Sequence, residues 1–204
     1  MSDILLHEVK GKSEIITFNN PNKLNVLSDE MLELLLNALE KSSSNPKTKV
    51  VIIKSTGKAF CAGHDLKEMQ NARINSDDGV GYFKELFKRC SKVMLKIKNL
   101  PKPVIAEVQG IATAAGCQLV ATCDIAIASK NASFGVNGVN IGLFCSTPMV
   151  ALSRNIGRKK TFEMLVTGDF LTANDAKEAG LINHVTEKNE LSNKTNEIAQ
   201  KITE

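Results

Sequence analysis

At 204 residues the chain has the length of one domain with room for a small appendage. A content of 43% hydrophobic and 24% charged residues, with 13 Gly and 5 Pro, excludes collagen-like, disordered and disulfide-scaffold classes. Lys and Arg exceed Asp and Glu by 26 to 22, a net charge of +4 spread along the chain. With no Trp and one Tyr to stack on bases, it argues against a nucleic-acid partner and fits a phosphate-bearing small ligand.

In chain order, residues 4–9 and 15–18 read as short strands around a turn at Gly11. Ser28 caps a helix carrying Met31, Leu34, Leu35, Ala38 and Leu39 at helical spacing, and the cluster from Ser42 to Pro46 ends it. Residues 50–53 are an apolar β-branched run of the kind found in a fully buried strand. A longer helix follows, with Phe83, Leu86, Phe87, Cys90, Met94 and Ile97 on one face. Lys84, Lys88, Arg89, Lys92 and Lys96 form a solvated face opposite. Pro101 and Pro103 stop it, and residues 104–108 read as a second buried strand ending at Gly110. A small-residue helix over 114–122, a strand over 124–129 and helices near 147–155, 159–166, 172–179 and 190–201 complete an alternating α/β order. The apolar stretch 104–129 is interrupted by Glu107, Gln109, Gln118 and Asp124, so it reads as core and not as a membrane span.

Dinucleotide, Walker and serine-elbow motifs are absent, and His7, His64 and His184 stand far apart, so no metal or bound cofactor is expected. The five cysteines, Cys61, Cys90, Cys117, Cys123 and Cys145, form no C-x-x-C pair and read as reduced thiols. The opening MSDILLHEVKGKSE matches neither a secretory signal nor a transit peptide, which points to the cytoplasm. Two small-residue loops follow buried strands, Phe60 to Leu66 and Gly110 to Gly116. Either they pack tightly, or they expose main-chain N–H groups to a ligand oxygen.

The stretches FCAGHDLKEM (60–69) and KPVIAEVQGIATAAGCQLVATCD (102–124), followed by SFG (133–135), TGD (167–169) and ANDAKEAGL (173–181), resemble the crotonase (enoyl-CoA hydratase/isomerase) superfamily over nearly the whole chain. The resemblance implies an α/β fold, a crotonase-like spiral of β-β-α turns, in a single domain spanning 1–204. Residues up to about 185 would form the spiral core. Residues 186–204 would begin a C-terminal helical region that is truncated compared with relatives, which leaves the family's homotrimer or hexamer in doubt. It also implies an acyl-CoA substrate, with coenzyme A as part of that substrate.

The same resemblance makes the backbone N–H groups of His64 and Ala115 an oxyanion hole for the thioester. Lys23, Asn25 and Val26, together with His64, Asp65, Leu66 and Lys67, would hold the coenzyme, with Lys23 facing phosphate. Asp124 matches an acidic position that is structural in relatives and reads as a strand-start cap. Hydratases of the family use two glutamates, and here Gln118 and Gly138 stand in their places. An amide holds water without exchanging a proton, and glycine has no side chain, so hydration should be weak or altered and isomerisation weakened. Gln118 and Asn137 could position water. Cys145, at the start of a helix, is a candidate low-pKa thiol. Glu107 is expected to face solvent or a basic neighbour. A non-catalytic acyl-CoA binder, and a CoA-thioester hydrolase or decarboxylase using held water, stay open as alternatives.

Overall fold

A computed structural model describes residues 4–204; the first three residues of the N-terminal stretch read above lie outside them. Strands β1 (Leu5–Lys10) and β2 (Ser13–Phe18) form an antiparallel hairpin, and helix α1 (Asp29–Ser44) follows. The first turn of the spiral is β3 (Val50–Ser55), β4 (Ala59–Cys61), α2 (Leu66–Ala72) and α3 (Val80–Lys98). The second is β5 (Val104–Val108), β6 (Ile111–Thr113) and α4 (Ala115–Thr122). The third is β7 (Ile125–Ser129), β8 (Ser133–Gly135), a short 3-10 turn, α5 (Ser146–Leu152) and α6 (Arg158–Thr167). Then come β9 (Leu171–Thr172), α7 (Ala173–Glu178), β10 (His184–Thr186) and α8 (Leu191–Thr203).

The first strand of each turn enters one sheet and the second strand enters another. The larger sheet runs β1-β2-β3-β5-β7-β10, the smaller β4-β6-β8-β9. Successive turns pair in parallel within both sheets, β3 to β5 to β7 and β4 to β6 to β8. The C-terminal ends of β4, β6 and β8 therefore lie side by side, and the loops leaving them share one edge.

Burial follows the sequence pattern. Val50, Val51, Ile52 and Ile53 are all 2% exposed or less, because β3 is covered on both faces. One face joins the main core under α1, α3 and α4; the other meets Leu191 and Ala199 of α8 in a second cluster. Ser28 caps α1 as expected, its Oγ accepting from the Met31 N–H at 3.2 Å. The stripe on α1 includes Leu32, and Leu34 is only half-buried. On α3 the buried face is Leu86, Cys90, Val93, Met94 and Ile97, whereas Phe87 is 40% exposed. The basic face is not wholly solvated, since Arg89 Nη2 pairs with Asp29 Oδ1 at 2.6 Å.

Three acidic side chains anchor strands. Asp124 Oδ2 accepts from the Val104 N–H at 2.7 Å and fixes the start of β5. Glu107 is 8% exposed and faces neither solvent nor a basic group; it accepts from Ser192 Oγ at 2.9 Å, tying β5 to α8. Glu14, 1% exposed on β2, accepts from His7 Nε2 at 2.8 Å, Ser42 Oγ at 2.5 Å, Asn45 Nδ2 at 3.1 Å and the Thr48 hydroxyl. Lys102 Nζ, 3.7 Å from Glu14, also donates to the Ser42 and Asn45 carbonyls. Burial pushes the Glu14 carboxyl up, but the hydrogen bonds from Ser42, Thr48 and His7 outweigh it and hold the carboxyl below its ordinary value.

Because that folded-state value is depressed, the Glu14 contribution to stability is full above the unfolded carboxylate pKa of about 4.3 and is lost as pH falls through the lower folded value. Thermal melts of the wild type and Glu14→Gln should differ clearly at pH 7 and converge in acid. A gap that is the same at both pH values would contradict this assignment.

Candidate functional site

Two turns face one another at the edge where the strands of the smaller sheet end. The first leaves β4 through Ala62 and Gly63 to His64, and the second leaves β6 through Ala114 to Ala115, the first residue of α4. They approach so closely that a Cβ built on Gly63 would lie 3.0 Å from Ala114 Cβ and 3.3 Å from Ala115 N. A Cβ on Gly116 would lie 2.2 Å from the Cys61 carbonyl oxygen, so only glycine lets α4 start against the end of β4. Ala114 takes φ 50° and ψ −121°, a backbone state that costs a non-glycine residue about 1–3 kcal/mol. The 24–27 segment holds the first turn: Ala62 N–H donates to the Leu24 carbonyl at 3.1 Å, and Leu27 N–H to the Gly63 carbonyl at 2.7 Å. Among the described residues, neither the His64 nor the Ala115 main-chain N–H has a carbonyl partner. The first N–H groups of a helix are unpaired by construction, and they carry its positive end.

Both turns border a cavity of about 380 Å³. Its walls come from Leu66 and Met69 of α2, Phe83 and Phe87 of α3, and the 137–148 segment that follows β8. Most of the lining is apolar. Thr113 Oγ1 donates to Asn137 Oδ1 at 2.7 Å across the ends of β6 and β8, leaving the Asn137 amide nitrogen to face other groups. The His64 ring stands edge-on to Phe87, with centroids 5.8 Å apart and planes at 84°. Both of its nitrogens are buried, with no partner at close hydrogen-bond distance among the described residues. Burial pushes the imidazole pKa down, opposed by the Leu27 main chain and the Asp29 carboxylate, so the ring is neutral at pH 7.

The other residues singled out from the sequence are placed unevenly. Leu66 reaches the cavity. Asn25 is 0% exposed; its amide donates to the Thr56 and Ala59 carbonyls at 2.8 Å and accepts from Asn20 N–H at 2.8 Å. Its side chain is thus committed to the fold and free for no ligand. Val26 N–H is taken by the Lys23 carbonyl at 3.2 Å. Asp65 caps α2, accepting from the Lys67 N–H at 2.9 Å, and Lys23 Nζ lies 3.9 Å from Asp65 Oδ2. Lys23 and Lys67 are exposed beside the first turn.

Gln118 is 7% exposed within α4; its side-chain oxygen has no partner, and it does not line the cavity. Gly138 does line it, in the 3-10 turn after β8, and there is no room there for a side chain: a Cβ would lie 2.6 Å from the Leu143 carbonyl oxygen and 2.8 Å from Cys145 Sγ. Cys145 occupies the helix-start position expected for it, but burial raises its thiol pKa against the weaker opposing effect of the Gly138 main chain. The direction is opposite to the one the helix-start position suggests. The other cysteines are free as well, and burial lifts Cys61, Cys90 and Cys117 to about 12. Among the described residues no cluster of three or more His, Cys, Asp or Glu is placed to hold a metal, and no helix is long and apolar enough to cross a membrane.

The family model for enoyl-CoA hydratase/isomerase matches residues 11–204. The chain belongs to that family. It is 44% identical over 203 residues to the mitochondrial enoyl-CoA hydratase domain-containing protein 3 of Danio rerio, covering all of this chain and 68% of that one. With the Homo sapiens protein of the same name it shares 48% over 187 residues, 92% of this chain and 60% of that one. The solved structure of an enoyl-CoA hydratase from Mycobacterium smegmatis superposes with a TM-score of 0.93 at 48% identity, covering 98% of this chain and 77% of that one. The human domain-containing protein 3 gives 0.92 at 45% identity with the same coverage. The chain thus spans 60–68% of the length of these two curated relatives. Both are named as mitochondrial, as are those of mouse, Xenopus laevis and rat, which overturns the cytoplasmic expectation. That expectation rested on the reduced thiols and the leader pattern, and nothing in the chemistry of a folded core separates one reducing compartment from another.

Gly138 generates a specific expectation. Gly138→Ala should destabilise the fold by about 1–3 kcal/mol, the usual cost of overpacking, and Gly138→Glu should lower the melting temperature further without raising hydration of crotonyl-CoA. A well-folded, faster Gly138→Glu variant would show that the 143–145 segment yields readily.

Proposed function

We propose that this chain binds a coenzyme A thioester and polarises its carbonyl between the main-chain N–H groups of His64 and Ala115. The observation that carries the reading is the close contact of two turns at the edge of a mostly apolar cavity, each with a main-chain N–H that no described carbonyl accepts. Donors aimed at a carbonyl oxygen stabilise the enolate that forms as charge moves onto it, and one such donor is typically worth about 2.7–4 kcal/mol. In this reading His64 acts through its backbone, while its neutral ring walls the cavity. The exposed Lys23 and Lys67 flank the entrance, where a coenzyme phosphate would pass.

Hydration needs a base for water and an acid for the α-carbon, each worth about 10²- to 10⁴-fold. Gln118 supplies neither, and Gly138 leaves no space for a carboxylate. The raised thiol of Cys145 does not replace them at neutral pH, and the Thr113–Asn137 pair orients water without ionising. The protein is accordingly a thioester-polarising member of its family with weak or altered hydratase activity.

Ala115→Pro tests the donor directly. Proline is tolerated at the first position of a helix, where it replaces the N–H with a ring carbon. It should lower turnover of any thioester the wild type processes by about 10²- to 10³-fold, with the circular dichroism spectrum unchanged; an unchanged rate would refute the role of Ala115. Wild-type turnover of crotonyl-CoA at the level of a two-glutamate hydratase would overturn the reading of Gln118 and Gly138.

A further inference from the structure

Arg73, at the C-terminal end of α2, also lines the cavity. It follows Leu66 and Met69 at spacings of three and four, so the three side chains share one face of the helix. Its guanidinium carbon lies 5.8 Å from the centroid of Phe83, another lining residue, which holds the charge against the cavity wall. Among the described residues no carboxylate pairs with it, although ten other ion pairs occur in the molecule. The remaining polar groups on the lining carry no formal charge: His64 is neutral, and Thr113 bonds Asn137. Arg73, exposed at the rim, is therefore the one permanent charge on this mostly apolar lining, and among the described residues it has no counter-ion. Seven residues of helical rise, about 10 Å, separate it from Leu66 beside the His64 turn.

From this placement we infer that the cavity selects acyl groups ending in a carboxylate, with Arg73 as the specificity residue for the distal end of the chain. The inference rests on the thioester reading above, which fixes the other end of the acyl group at His64 and Ala115. A guanidinium forks onto a carboxylate with two parallel hydrogen bonds, whereas a methyl terminus would leave the charge with solvent alone. The separation along α2 also means that a carboxylate next to the thioester, as in malonyl-CoA, falls short of Arg73.

Calorimetric titration with three length-matched pairs tests this: succinyl- against butyryl-CoA, adipyl- against hexanoyl-CoA, and suberyl- against octanoyl-CoA. In at least one pair the dicarboxylic ester should bind tenfold or more tightly, and Arg73→Met should abolish that preference while leaving affinity for the methyl-ended ester within about twofold. Equal affinity within every pair, or a preference that survives in Arg73→Met, would overturn the proposal while leaving the thioester reading intact. Failure of all six esters to bind the folded wild type would overturn both.

Discussion

The site depends on a contact between two turns. Gly63 and the Ala114–Ala115 step lie within van der Waals reach, and this brings the His64 and Ala115 turns together at the edge of one cavity. The contact follows from pairing order: β4 and β6 are parallel neighbours, with a register shift between Ala59 and Cys61, and both hand over to a helix at the same edge. Ligand sites at the carboxyl ends of parallel strands are a general consequence of that geometry. Backbone strain at Ala114 is tolerated there because the flanking bonds, Ala114 N–H to the Gly135 carbonyl at 2.9 Å and Gln118 N–H to the Ala114 carbonyl at 3.0 Å, fix the residue on both sides.

Chemistry delivered by amides is indifferent to side chains but demanding of position. In the reading proposed above, the chain holds its turns with tight glycines and carries an amide and a glycine where hydratases would place their acids. At Gly138 the change goes beyond the loss of one carboxylate, since the Leu143 carbonyl and Cys145 sulfur lie where a side chain would begin. In that reading the site draws charge onto an oxygen and has little means to move protons. Its remaining asymmetry is electrostatic, with a single unpaired cation on a wall of leucine, methionine and phenylalanine.

Long, strongly patterned elements were legible in the sequence. The spacing that defines α1 and α3, and the β-branched run of β3, need only periodicity to be seen. The two- and three-residue strands β4, β6, β8 and β9 carry no period at all, and they build the sheet on which the site sits. Helix α2 was equally silent, so Leu66, Met69 and Arg73 were not recognised as one stripe, although their spacing held the signal. Phe83 and Phe87 read as core because an apolar face looks the same whether it meets other side chains or lines a cavity. Asn25 and Asp65 sit in motif positions, yet their side chains are spent on holding the turn. Only coordinates separate residues that touch a ligand from residues that shape the loop around it.

The central claim is that two amides grip a thioester oxygen, and vibrational spectroscopy reads that oxygen directly. Difference infrared spectra of butyryl-CoA carrying a ¹³C-labelled carbonyl should show the carbonyl stretch move to lower frequency on binding, as expected for hydrogen bonds that weaken the C=O bond. A bound ester whose carbonyl band stays at its solution frequency or rises would contradict the account.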